Sequence, residues 1–219
     1  MLEQLFTQGR IWQRHHGDAP AAIDTGFEAM NQHLPGGGWP AAGVVEIIYP
    51  HLGLGELSLL LPCLRQLSQR ERWLAWVAPP WRPNAAALVS AGVDIRKLLL
   101  VSPKNGVSQH RDTLWSLEEC IKSGAVSAIL GWPQQLKPDQ ARRLHLCASQ
   151  YQVPCFLFKQ QPVTQTPAST ACALRLQLQA IDTQRVTVSV LKQRHGWPPP
   201  PFTLTLKRYS PFRYRPDKS

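Results

Sequence analysis

Apolar runs of strand length recur along the chain. They cover residues 44–49, 73–78, 97–101, 125–130 and 154–158. The segments between these runs place apolar side chains three or four positions apart, as helices do. They cover residues 57–68, 85–91, 113–122 and 138–151. Strands that alternate regularly with helices predict an α/β sandwich with a largely parallel sheet.

The C-terminal third of the chain has a different pattern. Residues 173–179 and 185–191 alternate apolar and polar side chains, with Asp182-Thr183 between them. This alternation predicts an antiparallel hairpin at the edge of the sheet. Four prolines follow Trp197 and predict a polyproline II spacer, and residues 202–206 are expected to form a last edge strand.

A chain of 219 residues, 43% hydrophobic and 17% charged, is long enough for one substantial globular domain. We expect a helical segment and glycine-rich lead-in over residues 1–39, a core over residues 40–206 and a tail over residues 207–219. Residues 1–16 carry an apolar side that predicts a short amphipathic helix.

Basic residues outnumber acidic residues, 24 to 14, which gives a net charge of +10. The excess is concentrated at the C-terminal end, where eight basic residues and one acidic residue follow position 184. Such a balance favours a polyanionic or acidic partner, although a basic surface can also serve solubility alone.

Five scattered cysteines without a CxxC pair predict buried thiols in a reducing compartment. No apolar run approaches the length of a membrane span, so we expect a cytoplasmic protein without a membrane partner.

A buried strand, residues 44–49, leads into a glycine-containing turn and then a helix, the layout of a phosphate-binding loop. Such a loop needs a lysine for the outer phosphates and a hydroxyl for magnesium. Glu56 lies where that lysine is expected, and two like charges about 4 Å apart repel by roughly 4 kcal/mol at an effective dielectric constant of about 20. The sequence therefore predicts a turn kept for its geometry. The alternative is a weak nucleotide pocket at Gly53, Gly55, Glu56 and Ser58 that binds without hydrolysis.

Cations and aromatic rings alternate in the tail, a pattern typical of single-stranded nucleic-acid binders. The residues are Lys207, Arg208, Tyr209, Phe212, Arg213, Tyr214 and Arg215. The alternatives are a solvated tail and a docking peptide for a protein partner. Histidine, cysteine and carboxylate residues do not recur at the spacing of metal ligands, and the sequence shows no catalytic triad. We therefore expect no metal, no cofactor and no catalytic residue.

Four short segments recur in an order typical of one known family. They are Gly36-Gly37-Gly38-Trp39-Pro40 leading to Val45-Glu46-Ile47, Ala91-Gly92-Val93-Asp94-Ile95, Ser123-Gly124-Ala125-Val126 and Lys192-Gln193-Arg194. From about Thr25 to about Phe202 the chain thereby resembles the core of the RecA recombinase family. The resemblance implies a RecA-like three-layer α/β sandwich with a mostly parallel central sheet and a C-terminal antiparallel edge hairpin. It also makes Lys192 and Arg194 candidates for binding DNA or a partner.

Departures from RecA fall where that family handles ATP. Glu56 replaces the phosphate lysine, Trp132 lies at the position of the magnesium-linked aspartate, and Pro80 lies at that of the glutamate that activates water. Gln160 could match the glutamine that senses nucleotide. Without the three lost groups, phosphoryl transfer lacks its electrostatic clamp and its base, so the resemblance implies a protein that is not an enzyme.

Further segments resemble two relatives of RecA. Thr25-Gly26-Phe27, Leu34-Pro35-Gly36-Gly37-Gly38, Gly53-Leu54-Gly55-Glu56-Leu57, Trp76-Val77-Ala78-Pro79-Pro80 and Leu191-Lys192-Gln193-Arg194 are similar to the ImuA family of translesion-synthesis accessory proteins. The middle of the chain resembles SulA, the SOS inhibitor of cell division. The segments involved are Glu46-Ile47-Ile48-Tyr49, Leu60-Leu61-Pro62, Arg72-Trp73 and Ile129-Leu130-Gly131-Trp132.

The ImuA resemblance predicts a non-catalytic, nucleoid-associated SOS adaptor for error-prone translesion synthesis. Its expected partners are RecA, the polymerase-like subunit ImuB, a DnaE-type polymerase reached through ImuB, and single-stranded DNA. One alternative is a SulA-like inhibitor that binds FtsZ. The other is a weak DNA-stimulated ATPase.

Overall fold

The computed structural model describes residues 21–103, 108–162, 171–194 and 196–207. The strands in these ranges are β1 (Ala22–Ile23), β2 (Trp39–Pro40), β3 (Gly43–Tyr49), β4 (Trp73–Val77), β5 (Leu98–Val101), β6 (Val126–Gly131), β7 (Pro154–Gln160), β8 (Leu174–Ala180), β9 (Arg185–Gln193) and β10 (Phe202–Thr205). The α-helices are α1 (Glu28–Asn31), α2 (Leu61–Ser68), α3 (Ala85–Ser90), α4 (Gln109–Lys122) and α5 (Pro138–Gln150). Short 3₁₀ turns cover Pro35–Gly37 and Ile95–Lys97.

Eight strands form one sheet in the order β10-β9-β8-β3-β7-β6-β4-β5. The six strands from β8 to β5 are parallel, whereas β9 and β10 continue the sheet in antiparallel fashion. The predicted α/β fold with a mostly parallel sheet and a C-terminal antiparallel hairpin is therefore confirmed. Asp182 closes that hairpin, because its carboxylate accepts hydrogen bonds from the backbone N–H groups of Gln184 and Arg185.

Strand β3 lies in the interior of the sheet and is buried along its whole length. Its side chains point alternately to the two faces, so Val45 and Ile47 join one apolar cluster and Val44 joins the other. Helices α2 and α3 contribute to the first cluster, and α4 and α5 contribute to the second. The sheet is thus covered by helices on both faces, which is why its strands read as continuous apolar runs.

Helix α2 is shorter than the sequence predicts. The apolar spacing predicts a helix over residues 57–68, but the helix begins at Leu61 and residues 51–60 form turns. Pro62 favours a start at this point because it lacks a backbone N–H and has its φ fixed near the helical value. Helix α4 begins four residues earlier than predicted, at Gln109. The helix predicted for residues 1–16 lies outside the described residues.

A buried ion pair links the neighbouring parallel strands β3 and β8. Glu46 on β3 and Arg175 on β8 are direct neighbours in the parallel register. The Nε of Arg175 lies 2.6 Å from the Oε2 of Glu46, and each side chain is only 6% exposed. Charges buried to this degree must be paired, because desolvating an unpaired ion costs several kcal/mol.

Replacing Glu46 by Leu should lower the free energy of unfolding by about 3–5 kcal/mol, because the Arg175 guanidinium would stay buried without its carboxylate partner. Urea unfolding followed by circular dichroism measures the loss. The control is Arg143→Ala, which breaks the exposed pair with Glu118 and should cost less than about 1 kcal/mol. Equal losses in the two variants would contradict the structural role of the buried pair.

Candidate functional site

The carboxyl ends of β3, β4, β6 and β7 meet at one edge of the sheet, because these strands are parallel. In open α/β sheets this edge is where ligands usually bind. The turns after β3, which contain Gly53, Gly55, Glu56 and Ser58, lie at this edge. This edge is therefore a candidate ligand site.

Glu56 folds back onto its own loop. One carboxylate oxygen accepts a hydrogen bond from the N–H of Gly55 at 3.1 Å and the other from the N–H of Gly53 at 3.4 Å. The side chain lies mostly inside the protein, since Glu56 is only 9% exposed. In a phosphate-binding loop such N–H groups face the ligand. Here the chain's own carboxylate already occupies them.

A row of four aromatic rings crosses the same edge. Tyr49 at the end of β3 meets Phe158 of β7 edge-on, with ring centroids 6.4 Å apart. Trp132, directly after β6, stacks on Phe158 at 4.7 Å with the ring planes 7° apart. Trp76 of β4 lies 5.7 Å from Trp132. Trp132, predicted at the position of the magnesium-linked aspartate, is thus part of an aromatic row. Pro80, predicted at the position of the glutamate that activates water, lies exposed in the loop after β4.

Tyr49 has an altered pKa for two reasons. Burial and, second, the negative charge of Glu56 raise the pKa of the Tyr49 hydroxyl to about 12. Both effects disfavour the tyrosinate form. The phenol therefore stays protonated at neutral pH, next to a carboxylate that the loop amides stabilise.

The predicted basic residues that the structure describes lie at two opposite edges of the sheet. Lys192 and Arg194 lie at the end of β9, near the amino ends of the parallel strands. Lys207 follows β10 near the opposite edge, where its neighbour Leu206 packs close to Gly55. The remaining tail residues, Arg208, Tyr209, Phe212, Arg213, Tyr214 and Arg215, lie outside the described residues. Lys192 and Arg194 therefore stay a separate candidate surface.

The half-buried side chain of His145 lies close to this basic pair. Burial and then the positive charges of Arg194 and Lys192 lower the pKa of the imidazole. The Nδ1 atom accepts a hydrogen bond from the backbone N–H of Val44 at 3.1 Å. His145 therefore serves as a neutral acceptor next to two cations.

An apolar groove that the sequence did not predict lies beside the outer strand β5. It has a volume of about 420 Å³, and Trp73, Leu99, Cys120 and Val126 contribute to its lining. Trp73 is 43% exposed and Leu99 is 41% exposed. The signal in the sequence was the run Leu98-Leu99-Leu100-Val101, but whether such a run is central or at an edge depends on the strand order.

Within the described ranges, no group of three or more histidine, cysteine, aspartate or glutamate residues could hold a metal ion. The five cysteines are free, and three of them, Cys63, Cys155 and Cys172, are buried. Burial raises the pKa of each of these three thiols, so they stay protonated and unreactive. No helix among the described residues is long and apolar enough to span a bilayer.

Comparison with known proteins identifies the family. The model of the family described as "Cell division inhibitor SulA" matches residues 43–153, from β3 to the end of the turn after α5. The chain belongs to the SulA family. The SulA proteins of Yersinia pestis (strain Pestoides F) and Yersinia pseudotuberculosis (serotype O:1b, strain IP 31758) are each 32% identical over 105 residues. These alignments cover 48% of the chain and 60% of each relative.

A solved structure gives a weaker match. The crystal structure of SulA from Pseudomonas aeruginosa superimposes with a TM-score of 0.45 and 25% sequence identity. The alignment covers 54% of the chain and 98% of that structure.

The SulA family corrects the main functional prediction. The predicted translesion-synthesis adaptor, with RecA, ImuB, a DnaE-type polymerase and DNA as partners, is wrong, because the match is to a family of division inhibitors. The segments that favoured ImuA include the glycines at 36–38 and residues 191–194, which lie outside the matched stretch. All four segments that resembled SulA lie inside it. An inhibitor family agrees with the prediction of a protein that is not an enzyme, and nothing supports association with the nucleoid.

Replacing Glu56 by Ala should lower the free energy of unfolding by about 1–3 kcal/mol, because two loop N–H groups would lose their charged acceptor. It should also lower the pKa of Tyr49, although burial will keep it above its ordinary value. Urea unfolding measures the first effect, and alkaline titration of tyrosinate absorbance against a Tyr49→Phe background measures the second.

The matched control for this loop is Glu28→Ala. Glu28 is exposed, and its carboxylate accepts a hydrogen bond only from the side chain of Gln32 among the described contacts, so its loss should have little effect on stability and none on Tyr49. If Glu56→Ala is as stable as the parent chain, the carboxylate does not hold the loop.

Proposed function

We propose that this SulA-family chain inhibits cell division in the cytoplasm by binding FtsZ, as part of the SOS response. The observation that carries the proposal is the family match, which covers β3 to β6, four of the six parallel strands, and both helices on the second face of the sheet. The chain aligns with only 60% of the length of its curated relatives. The match therefore supports the proposal that the part shared with the SulA relatives, residues 43–153, carries the inhibition of cell division.

The inhibitor acts by binding and does not turn over a nucleotide. The two amide groups that would face a phosphate hold the carboxylate of Glu56. The aromatic row that includes Trp132 fills the neighbouring space. We interpret Glu56, Trp132 and Pro80 as substitutions of the ATP-handling residues on a RecA-like scaffold, and Gly53, Gly55 and Ser58 as the remains of its loop.

FtsZ binds at the apolar groove beside β5. Every residue that lines this groove lies inside the matched stretch. Strand β5 is the outermost described strand on this side, and no strand among the described residues pairs with its outer side, which can therefore pair with a partner. Exposed Trp73 and Leu99 supply the apolar contact that a protein interface concentrates at its centre.

The full chain should suppress FtsZ polymerisation and GTP hydrolysis when mixed with FtsZ in stoichiometric amounts. Leu99→Lys should weaken this inhibition by about tenfold or more, because it places a charge in the centre of the interface. The expected change is measured by light scattering of FtsZ polymers and by phosphate release. Lysine is common on exposed edge strands, so the variant should still fold.

The matched control is Leu146→Lys on α5, because Leu146 is also an exposed leucine, at 58%, but does not line the groove. It should inhibit FtsZ as well as the parent chain does. Equal loss in both variants would exclude the groove as the binding surface. A chain that leaves FtsZ polymerisation unchanged at molar excess would refute the proposed function itself.

A further inference from the structure

A second cavity lies at the opposite edge of the sheet from Glu56. It has a volume of about 210 Å³ and opens between β2 and the start of β8. Pro40, Ala42 and Leu174 form apolar walls, and Gln152, Gln193 and Arg194 supply polar groups. Pockets for drug-sized ligands usually measure about 300–1,000 Å³, so this one suits a single side chain. Of the residues that line it, only Gln152 lies within the stretch that matches the SulA family.

The mouth of this cavity is positively charged. Arg194 is exposed, and no carboxylate of the described residues forms an ion pair with it. Burial and then the charges of Arg194 and Lys192 lower the pKa of the nearby His145, which agrees with two cations lying close to the cavity. An anionic group at the mouth would therefore be attracted to Arg194.

Gln193 offers a hydrogen-bond acceptor to a ligand. Its Nε2 donates to the backbone carbonyl of Trp197 at 2.7 Å, which fixes the orientation of the amide. The Oε1 atom is then buried and has no donor among the described residues. A buried acceptor without a donor costs free energy, which a ligand N–H would recover.

Gln152 lies at the cavity in a strained conformation. It follows α5 with a φ of 54°, in the left-handed region where a helix usually ends with glycine. Its Nε2 donates to the carbonyl of Ser149 at 2.7 Å. Strain of this kind is often retained where a side chain serves a binding site.

We propose that this cavity binds the C-terminal residue of a partner polypeptide. The terminal carboxylate pairs with Arg194, the backbone N–H of that residue donates to the Oε1 of Gln193, and its apolar side chain enters the space between Pro40, Ala42 and Leu174. One amino-acid residue at a chain end carries all three groups together. The lining contains no aromatic ring on which a nucleic-acid base could stack, which favours a peptide over single-stranded DNA.

This site is separate from the proposed inhibition of FtsZ. It lies at the other edge of the sheet from the loop of Glu56, and most of its lining lies outside the matched stretch. It therefore gives this chain a second attachment point that the shared SulA core does not supply.

The probe is acetyl-Ala-Leu with a free carboxylate, titrated against the full chain by ligand-observed NMR, with acetyl-Ala-Leu amide as the matched ligand. The free acid should bind and the amide should bind at least about tenfold more weakly, because the amide lacks the charge that pairs with Arg194. Arg194→Gln should weaken binding of the acid by a similar factor. Lys207→Gln, which removes a basic residue outside the cavity, should leave binding unchanged.

Three results would overturn the proposal. They are equal affinity for the acid and the amide, unchanged affinity in Arg194→Gln, and absence of binding by the acid. Displacement of the acid by a short oligo-dT in an Arg194-dependent manner would assign the site to nucleic acid instead. If Arg194→Gln fails to fold, Ala42→Leu fills the cavity from its apolar side and should abolish binding of the acid.

Discussion

Glu46 and Arg175 face each other inside the sheet, 129 residues apart in sequence and 2.6 Å apart in space. The pair lies where β3, inside the stretch that matches the SulA family, meets β8, outside it. A shift of one residue in this register would move both charges away from each other and into apolar surroundings. The pair therefore fixes how the two parts of the sheet align, and so fixes where both edges of the sheet lie.

That alignment explains why the chain has two separate surfaces. At the carboxyl edge, Glu56 and the row from Tyr49 to Trp76 fill the space that an α/β fold normally leaves for a ligand. At the amino edge, the start of β8 and the end of β9 form a small cavity with Arg194 at its mouth. The two surfaces proposed to bind partners lie instead along the outer strand and at the amino edge.

The strand pattern could be predicted from sequence because parallel strands covered on both faces are apolar throughout. The predicted strands lie within about two residues of the observed ones in most cases, and the hairpin closed by Asp182 lies where alternation placed it. The start of α2 was predicted too early, because the apolar spacing begins at Leu57, whereas Pro62 and the hydrogen bonds of Glu56 within its own loop favour turns before Leu61.

The buried ion pair and the groove beside β5 could not be predicted, because both depend on the order of the strands in the sheet. Glu46 is an isolated charge within the apolar run Val44-Val45-Glu46-Ile47-Ile48 and needs a partner, but Arg175 lies at a polar position of an alternating strand. Only the strand order shows that the two are neighbours. The groove beside β5 depends on strand order as well. The sequence-based prediction preferred ImuA to SulA because it relied on segments near both ends of the chain, such as residues 36–38 and 191–194. The family match lies between them, at residues 43–153.

Strand β5 ends the sheet with neither proline nor charge within Leu98–Val101. No strand in the described part of the chain pairs with its outer side, so its backbone groups and the half-exposed Leu99 and Leu100 can recruit an extended chain, including other copies of this protein. Self-association by this route grows with concentration, so the molecule is best suited to brief production at low abundance, and purification at high concentration should favour insoluble, strand-rich assemblies.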